Sequence, residues 1–297
     1  MINVIFILCK IVYMKIVISL FVTLSTAFFT FSQVTPFQLY NSHGEKVEFE
    51  DMIKTLSEKE IILFGELHNN PIAHWMQLKL VQELHKKKEI ALGAEMIESD
   101  NQDLLDNYLA RIVDQKAFDT LARLWTNHKT DYKPLVDFAK ENHLDFIATN
   151  IPRRYASMVY KEGFDALNNL TAQEKGWIAP LPIVYDATLP SYKEMQTMMS
   201  EHANENLPKA QAIKDATMAH FIFKYFKETS HLFIHFNGAY HSNNYEGIFW
   251  YLKQLDEDLK ISTISTILQS NVHELDEESK GIADFILVVD EDMTTTY

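Results

Sequence analysis

The chain has 297 residues, of which 47% are hydrophobic and 23% charged, and its formal net charge is −14. Such a composition excludes a disordered chain, and its 8 glycines and 8 prolines exclude a collagen-like or low-complexity one. The acidic balance argues against a nucleic-acid-binding protein, and the single cysteine, Cys9, excludes a disulfide framework and a cysteine-ligated metal site.

The first 32 residues have the pattern of a secretory signal peptide. Two lysines and no acidic residue accompany an apolar run from Ile16 to Phe31, which ends at the polar pair Ser32-Gln33. We predict that residues 1–32 are cleaved, with Met14 the more natural start, and that the protein is periplasmic, cell-envelope-associated or secreted. The alternative is an uncleaved membrane anchor, although the apolar run is short for a span of about 20 residues. After cleavage, no transmembrane span is expected.

Six short apolar runs have the length and composition of β-strands. They are residues 61–65, 90–94, 144–148, 232–236, 261–268 and 282–289. Continuous apolar runs that alternate with longer helical patterns predict an α/β fold, with a mainly parallel sheet covered by helices on both faces. No linker interrupts the pattern, so residues 33–297 are predicted to form a single domain.

Helical patterns fill the intervals between these runs. After the first run, Asn70 can cap a helix in which Pro71 takes the first position. Further helices are predicted within residues 99–142, 153–169 and 191–228. The region from about residue 155 to 228 is predicted to be a helical insertion or cap on the α/β core, and part of it is rich in Tyr and Met.

Polar side chains gather where four of the predicted strands end. They are Glu66 and His68 after the first strand, Glu95 after the second, Asn150, Arg153 and Arg154 after the third, and Asn237 and His241 after the fourth. Ligands of open parallel sheets bind beyond the carboxyl ends of the strands, so we expect these residues to line a pocket. His74, in the first turn of the following helix, could add a third imidazole.

Each of these residues also has a purely structural explanation. A glutamate such as Glu66 often only caps a helix, His74 could simply cover a helical turn, and Arg154 could be an ordinary surface residue. Glu95 follows a buried strand, where an unpaired carboxylate is costly, so it needs a partner such as Arg153 or a histidine. The coincidence across four strand ends, more than any single residue, indicates a site.

Six motifs in series resemble those of the ChaN-like haem-binding uptake proteins of the Tiki superfamily. They are Gly65–Pro71 with His74 and Gln77, Ala91–Met96, Asp131–Val136, Ala148–Arg153, Lys214–Ala219, and Asn237–His241 with Gly247. The resemblance covers about residues 58–255. It implies an exported or surface-associated bacterial haem-binding protein in iron acquisition, with an α/β core and an extra helical portion. The resemblance also implies more distant kinship with hydrolases, including metal-dependent proteases and esterases, that use the same Gly-Glu-x-His corner.

The first functional hypothesis is therefore haem binding, with an outer-membrane haem or iron receptor as a possible partner and an oligomer also possible. Haem needs an apolar slot, an axial ligand and partners for two propionates. The Tyr- and Met-rich insertion could provide the slot, with Tyr192, Met199 or His202 as ligand, and Arg154 could meet a propionate together with Arg153. A stripe of Met and aromatic residues at helical spacing is, however, more often part of a core.

The second hypothesis is a metal-dependent hydrolase at the Glu66/His68 strand end. Glu66, His68, His74 and Glu95 are suitable ligands for a divalent metal, and a histidine paired with a carboxylate could instead act as a general base. Asn150, Asn237 or Arg153 would stabilise an oxyanion, and His241 would complete the pocket. The HExxH and GxSxG motifs are absent. An interaction protein that has merely inherited the pocket is a third possibility.

Overall fold

A seven-stranded sheet lies at the centre of a computed structural model that describes residues 13–14, 35–198 and 204–297. The strands are β1 (Phe37–Asn41), β2 (Ile61–Glu66), β3 (Ile90–Glu98), β4 (Phe146–Asn150), β5 (Leu232–Gly238), β6 (Ile261–Gln269) and β7 (Phe285–Asp290). Their order across the sheet is β1-β7-β6-β2-β5-β3-β4, and every neighbouring pair is parallel except β1 with β7. The predicted mainly parallel α/β fold is confirmed.

Helices cover both faces of this sheet. They are α1 (Phe49–Leu56), α2 (Pro71–His85), α3 (Gln102–Leu109), α4 (Gln115–Leu121), α5 (Lys133–Asn142), α6 (Arg153–Glu162), α7 (Ala172–Lys175), α8 (Pro190–Met198), α9 (Leu207–Thr229) and α10 (Ile248–Leu255). Among the helices of the described residues, none combines the length and the hydropathy that a membrane span needs.

Alternate residues of each central strand pack into hydrophobic cores on opposite faces of the sheet. Ile62 and Phe64 of β2 pack in a core with helices α1, α2, α3 and α5, whereas Ile61 and Leu63 pack with α9 and α10 on the opposite face. Successive side chains of a strand point to opposite faces, so a strand buried on both sides needs an unbroken apolar run. This is why the sequence pattern reads as continuous runs.

The described chain from Pro36 to Tyr297 forms one compact unit. Residues 1–32, predicted as a signal peptide, lie outside the described residues except for Tyr13 and Met14. Helices α6 to α9 occupy the connection between β4 and β5, where the helical insertion is predicted. The antiparallel edge strand β1 is absent from the sequence prediction, because its five residues, FQLYN, mix polar and apolar side chains.

Helix α2 begins as the sequence predicts. The Asn70 side chain accepts a hydrogen bond from the Ala73 backbone N–H at 3.0 Å, and Pro71 occupies the first helical position. An extended Asn70 backbone turns the chain directly from the end of β2 into the helix. The cap thereby directs His74 and Gln77, one turn apart, toward the end of β2.

Candidate functional site

The carboxyl ends of three adjacent parallel strands, β2, β5 and β3, meet at one edge of the sheet. Glu66 ends β2 in register with Gly238 of β5, and the Gly238 backbone N–H donates to Glu95 Oε2 of β3 at 2.7 Å. The strand ends thus bring the two glutamates to opposite sides of Gly238, as the parallel-sheet prediction requires.

Glu66 is a buried carboxylate that accepts three hydrogen bonds from side chains. Its Oε1 accepts from the Tyr132 hydroxyl at 2.7 Å and from His68 Nδ1 at 2.9 Å, and its Oε2 accepts from the Gln77 amide at 2.5 Å. These donors compensate for the removal of the carboxylate from water. Glu66 caps no helix, because the cap of α2 is Asn70.

His68 is the histidine of this edge that keeps contact with solvent. Its side chain is 34% exposed, compared with 6% for His74 and 7% for His241. The ring packs edge-on against Trp125, with centroids 4.8 Å apart. Burial lowers the pKa of His68, but the hydrogen bond to Glu66 and the charges of Glu95 and Glu66 outweigh it, so the pKa is raised.

Gly238 leaves the space that His68 occupies. A Cβ atom at position 238 would lie 2.8 Å from His68 Nε2 and 2.9 Å from its Cε1, closer than side chains pack. The backbone of Gly238, at φ −56°, is one that any residue can adopt. Gly238 therefore gives the imidazole room at this position, whereas its backbone conformation does not require a glycine.

His74 is enclosed by polar groups beneath His68. Its Nε2 lies 3.0 Å from the His68 carbonyl oxygen and 3.6 Å from Asp131 Oδ2. The Asn127 amide donates both to that same carbonyl and to Asp131 Oδ2, while the Thr296 hydroxyl also donates to Asp131. His74 is thus part of a buried network that holds the backbone of the His68 loop in place.

Glu95 is held at an irregularity in β3. The pairing of β3 with β4 shifts register between Ala94 and Glu98, and the Asn150 amide donates to the Glu95 carbonyl oxygen at 2.8 Å. His241 Nε2 lies 3.2 Å from Glu95 Oε1. Burial opposes ionisation of Glu95, but His241, His68 and the Gly238 N–H together hold its pKa well below the usual range. The partner that Glu95 was predicted to need is a histidine.

His241 lies between two buried carboxylates. Its Nδ1 is 2.5 Å from Asp215 Oδ1 of α9, on the side opposite Glu95. Burial lowers the pKa of His241, but the two carboxylates raise it to about 10, so the ring is an imidazolium at neutral pH. Burial raises the pKa of Asp215, an effect that the charge of His241 counteracts.

The two asparagines predicted to stabilise an oxyanion are engaged inside the fold. The Asn237 amide donates to the Gly238 carbonyl oxygen and to Ser242 Oγ, both at 3.0 Å. The Asn150 amide is used by Glu95, and its buried Oδ1 has no hydrogen-bond partner among the described residues. The amide N–H groups of both asparagines therefore already donate to acceptors within the protein.

The two arginines of this region lie apart from Glu95. Arg154 donates to Asp100 at 2.7 Å, and the backbone N–H of Arg153 donates to Glu98 Oε1 at 3.1 Å. Both line a cleft of about 610 Å³ beside the strand ends, together with Trp125 and Asn127, which contact His68. Of the two partners predicted for Glu95, Arg153 or a histidine, the structure has the histidine, His241.

Of the haem ligands predicted in the insertion, Tyr192 is described and Met199 and His202 lie outside the described residues. Tyr192 is 1% exposed, and its ring stacks on Tyr185 with centroids 5.4 Å apart. Its hydroxyl group has no hydrogen-bond partner among the described residues, and burial raises its pKa. In this conformation Tyr192 is part of the core formed with α9 and α10.

The four residues predicted as metal ligands do not form a metal site. Within the described ranges, no group of three or more His, Cys, Asp or Glu side chains is arranged to hold an ion. Glu66 already accepts hydrogen bonds from three side chains, whereas Glu95 is paired with His241 on the other side of Gly238. The metal-dependent form of the hydrolase hypothesis therefore has no ligand group within the described ranges.

Several residues of the site have no role in the sequence prediction. They are Gln77, Trp125, Asn127, Tyr132, Gln211 and Asp215. Gln77, Tyr132 and Asp215 fall within the motifs that resemble the family, and Gln211 lies one helical turn before Asp215, with its amide 2.8 Å from His241 Nδ1. The position of Gln211 one helical turn before a motif residue could have identified it from the sequence. No comparable feature identifies Trp125.

A family model described as "Haem-binding uptake, Tiki superfamily, ChaN" matches residues 52–252. The chain belongs to this family. The match includes both glutamates of the strand-end site, His68, His241 and Asp215. No curated protein sequence matches the chain.

Solved structures that resemble this chain include a ChaN protein. The structure "Cofacial heme binding to ChaN of Campylobacter jejuni" matches with a TM-score of 0.64 and 19% identity, covering 86% of this chain and 97% of that one. An erythromycin esterase, a mutant of EreC in its open conformation, gives a TM-score of 0.48 at 10% identity, covering 86% and 83%. At these identities, the likeness to ChaN shows the fold.

Proposed function

We propose that this chain is an exported haem-binding protein that takes part in haem or iron uptake. Its membership of the haem-binding uptake family, over residues 52–252, carries the proposal. Cofacial heme binding by ChaN of Campylobacter jejuni, which has the same fold, supports it. An outer-membrane haem or iron receptor is the partner that such a role would require.

The strand-end edge offers a side chain suited to an iron ligand. His68 Nδ1 is tied to the Glu66 carboxylate at 2.9 Å, and its Nε2 makes no hydrogen bond to a described residue. A histidine that binds a metal through one nitrogen usually donates the other N–H to a carboxylate, which fixes the ring and raises its basicity. His68 also contacts Trp125, which lines the cleft. It is therefore better placed to bind the haem iron than Tyr192, whose side chain is buried.

The proposal is tested by titrating hemin into the purified protein and recording the visible spectrum. We expect a saturable Soret shift in the wild type, and a changed or lost shift in His68→Ala, because the iron would lose an axial ligand. Tyr192→Phe removes the buried hydroxyl group and tests whether Tyr192, in the insertion, is the axial ligand. His273→Ala, an exposed histidine after β6, is the matched control.

The outcomes separate the function from the choice of ligand. Absence of any Soret change in the wild type would contradict haem binding. A normal shift in His68→Ala together with a lost shift in Tyr192→Phe would keep haem binding and transfer the axial ligand to the insertion.

A further inference from the structure

The arginines of this chain are distributed unevenly over its surface. Only four are present, Arg111, Arg123, Arg153 and Arg154, among 27 basic residues. Three of them line the same cleft of about 610 Å³ beside the strand ends, and Arg111 does not. Such a concentration of guanidinium groups in an acidic protein points to a function for the cleft.

Two of the three arginines are fixed in place by acidic partners. Asp100, whose side chain is 7% exposed, accepts hydrogen bonds from both Arg154 and Arg123, and Arg123 Nε also donates to Glu98 at 2.8 Å. The guanidinium of Arg154 in addition lies 4.5 Å above the ring of Tyr155. These contacts hold both side chains before any ligand arrives, so binding would cost little side-chain entropy.

Arg153 differs from its two neighbours. Its backbone N–H donates to Glu98 at 3.1 Å, which fixes the residue at the start of α6. Its guanidinium group makes no hydrogen bond or ion pair with any described residue, and its side chain is exposed. Arg153 therefore presents a free, planar set of donors at the rim of the cleft.

The cleft combines this positive rim with an apolar wall. Three guanidinium groups line the cleft together with the Glu98 carboxylate and Tyr297, in a chain whose net charge is −14. Leu124 and Trp125 provide the wall, and Trp125 connects it to His68. A flat apolar ligand with carboxylate groups at one end matches both features.

We propose that the cleft between the end of β3 and the start of α6 binds the carboxylates of a porphyrin, with Arg153 as the direct partner and Arg123 and Arg154 as fixed supporting charges. This inference rests on the proposed haem-binding function, and it assigns the propionate end of the ligand to this cleft. The unpaired guanidinium of Arg153 provides a local positive charge that can attract an anionic ligand to an acidic protein.

The test compares hemin with hemin dimethyl ester, in which both propionates are neutral. Hemin affinity is measured by Soret titration in one detergent-containing buffer for the wild type, Arg153→Gln and Arg111→Gln. Loss of a charge-assisted hydrogen bond should weaken hemin binding by Arg153→Gln about tenfold to a hundredfold. The ester should bind wild type and Arg153→Gln equally, and Arg111→Gln should behave as wild type with both ligands.

Each outcome bears on one of the two proposals. If the wild type binds hemin and Arg153→Gln binds it equally well, the carboxylate site is overturned and haem binding stands. If Arg153→Gln loses affinity for hemin and for the ester alike, contact with the propionates is also overturned. If the wild type binds neither ligand, the proposed function itself fails. Thermal unfolding of Arg153→Gln should match the wild type, because the guanidinium is exposed and unpaired.

Discussion

At the scale of single residues, the site is defined by buried charges that satisfy one another. Glu66 lies among two neutral donors and two histidines, whereas Glu95 and Asp215 enclose the imidazolium of His241. Breaking a buried pair costs far more than the pair contributes, because the remaining charge cannot reach water. The strand-end edge should therefore be sensitive to substitutions that leave its shape unchanged.

Stability should fall in alkaline solution because of His241. Its pKa is about 10 in the folded protein, against 6.5 for an ordinary histidine. A raised pKa contributes stability that is complete below about pH 6.5 and is lost as the pH rises toward 10. We expect the free energy of unfolding, measured with urea between pH 6 and 10, to decline across this range.

Asp215→Asn should reduce that alkaline decline. The variant leaves His241 with one carboxylate, Glu95, so its pKa falls and the pH-dependent contribution becomes smaller. At pH 7 we expect a loss on the order of 3 kcal/mol, as for a broken buried pair. His273→Gln, which changes an exposed histidine, should keep the wild-type profile. An unchanged profile in Asp215→Asn would contradict the assigned pKa.

At the scale of elements, the site depends on how three elements begin or end. Helix α2 begins at the Asn70 cap, β3 changes its pairing beyond Ala94, and a π-helical turn at His128–Tyr132 leads into α5. These features place Gln77, Glu95 and Tyr132 respectively. Bulges and π-turns redirect side chains at functional sites, which is how they act here.

Two cap variants separate stability from site geometry. Asn70→Ala and Asp114→Ala each remove one side-chain cap, of α2 and α4, and each should cost about 1 kcal/mol in the free energy of unfolding. Only Asn70→Ala should also change hemin affinity, because α2 carries His74 and Gln77. Equal effects of the two variants on the hemin titration would show that the start of α2 does not position the site.

At the scale of the whole molecule, one sheet supports both the buried polar site and the cleft beside it. The edge strand β4 ends at Asn150, and α6 follows at once with Arg153. The topology therefore places the arginine cleft next to His68, although 85 residues separate Arg153 from His68 in the sequence. Contacts between distant segments, rather than local sequence, create the combination.

Export is the remaining prediction at this scale. If residues 1–32 are removed, the mature protein loses Cys9, its only cysteine. Protein recovered from the periplasm or medium of a bacterial host should then begin near Gln33 by mass spectrometry and take up no maleimide when denatured. The full chain, translated in vitro, is the positive control. Retention of the thiol in the exported protein would contradict cleavage before Gln33.

The sequence by itself determined the α/β class, the strands of the sheet except β1, and the gathering of polar residues at the strand ends. Apolar runs and helix caps are local signals, so they could be interpreted directly. The motifs also resembled the family to which the chain belongs.

Only the tertiary structure decided which polar group pairs with which. It assigned His241 and not Arg153 to Glu95, surrounded Glu66 with Tyr132 and Gln77, covered Tyr192, and joined three arginines in one cleft. The physical reason is that a buried charge is satisfied by whichever donor the packing brings within hydrogen-bond distance. That distance depends on strand order and register, which no local pattern contains.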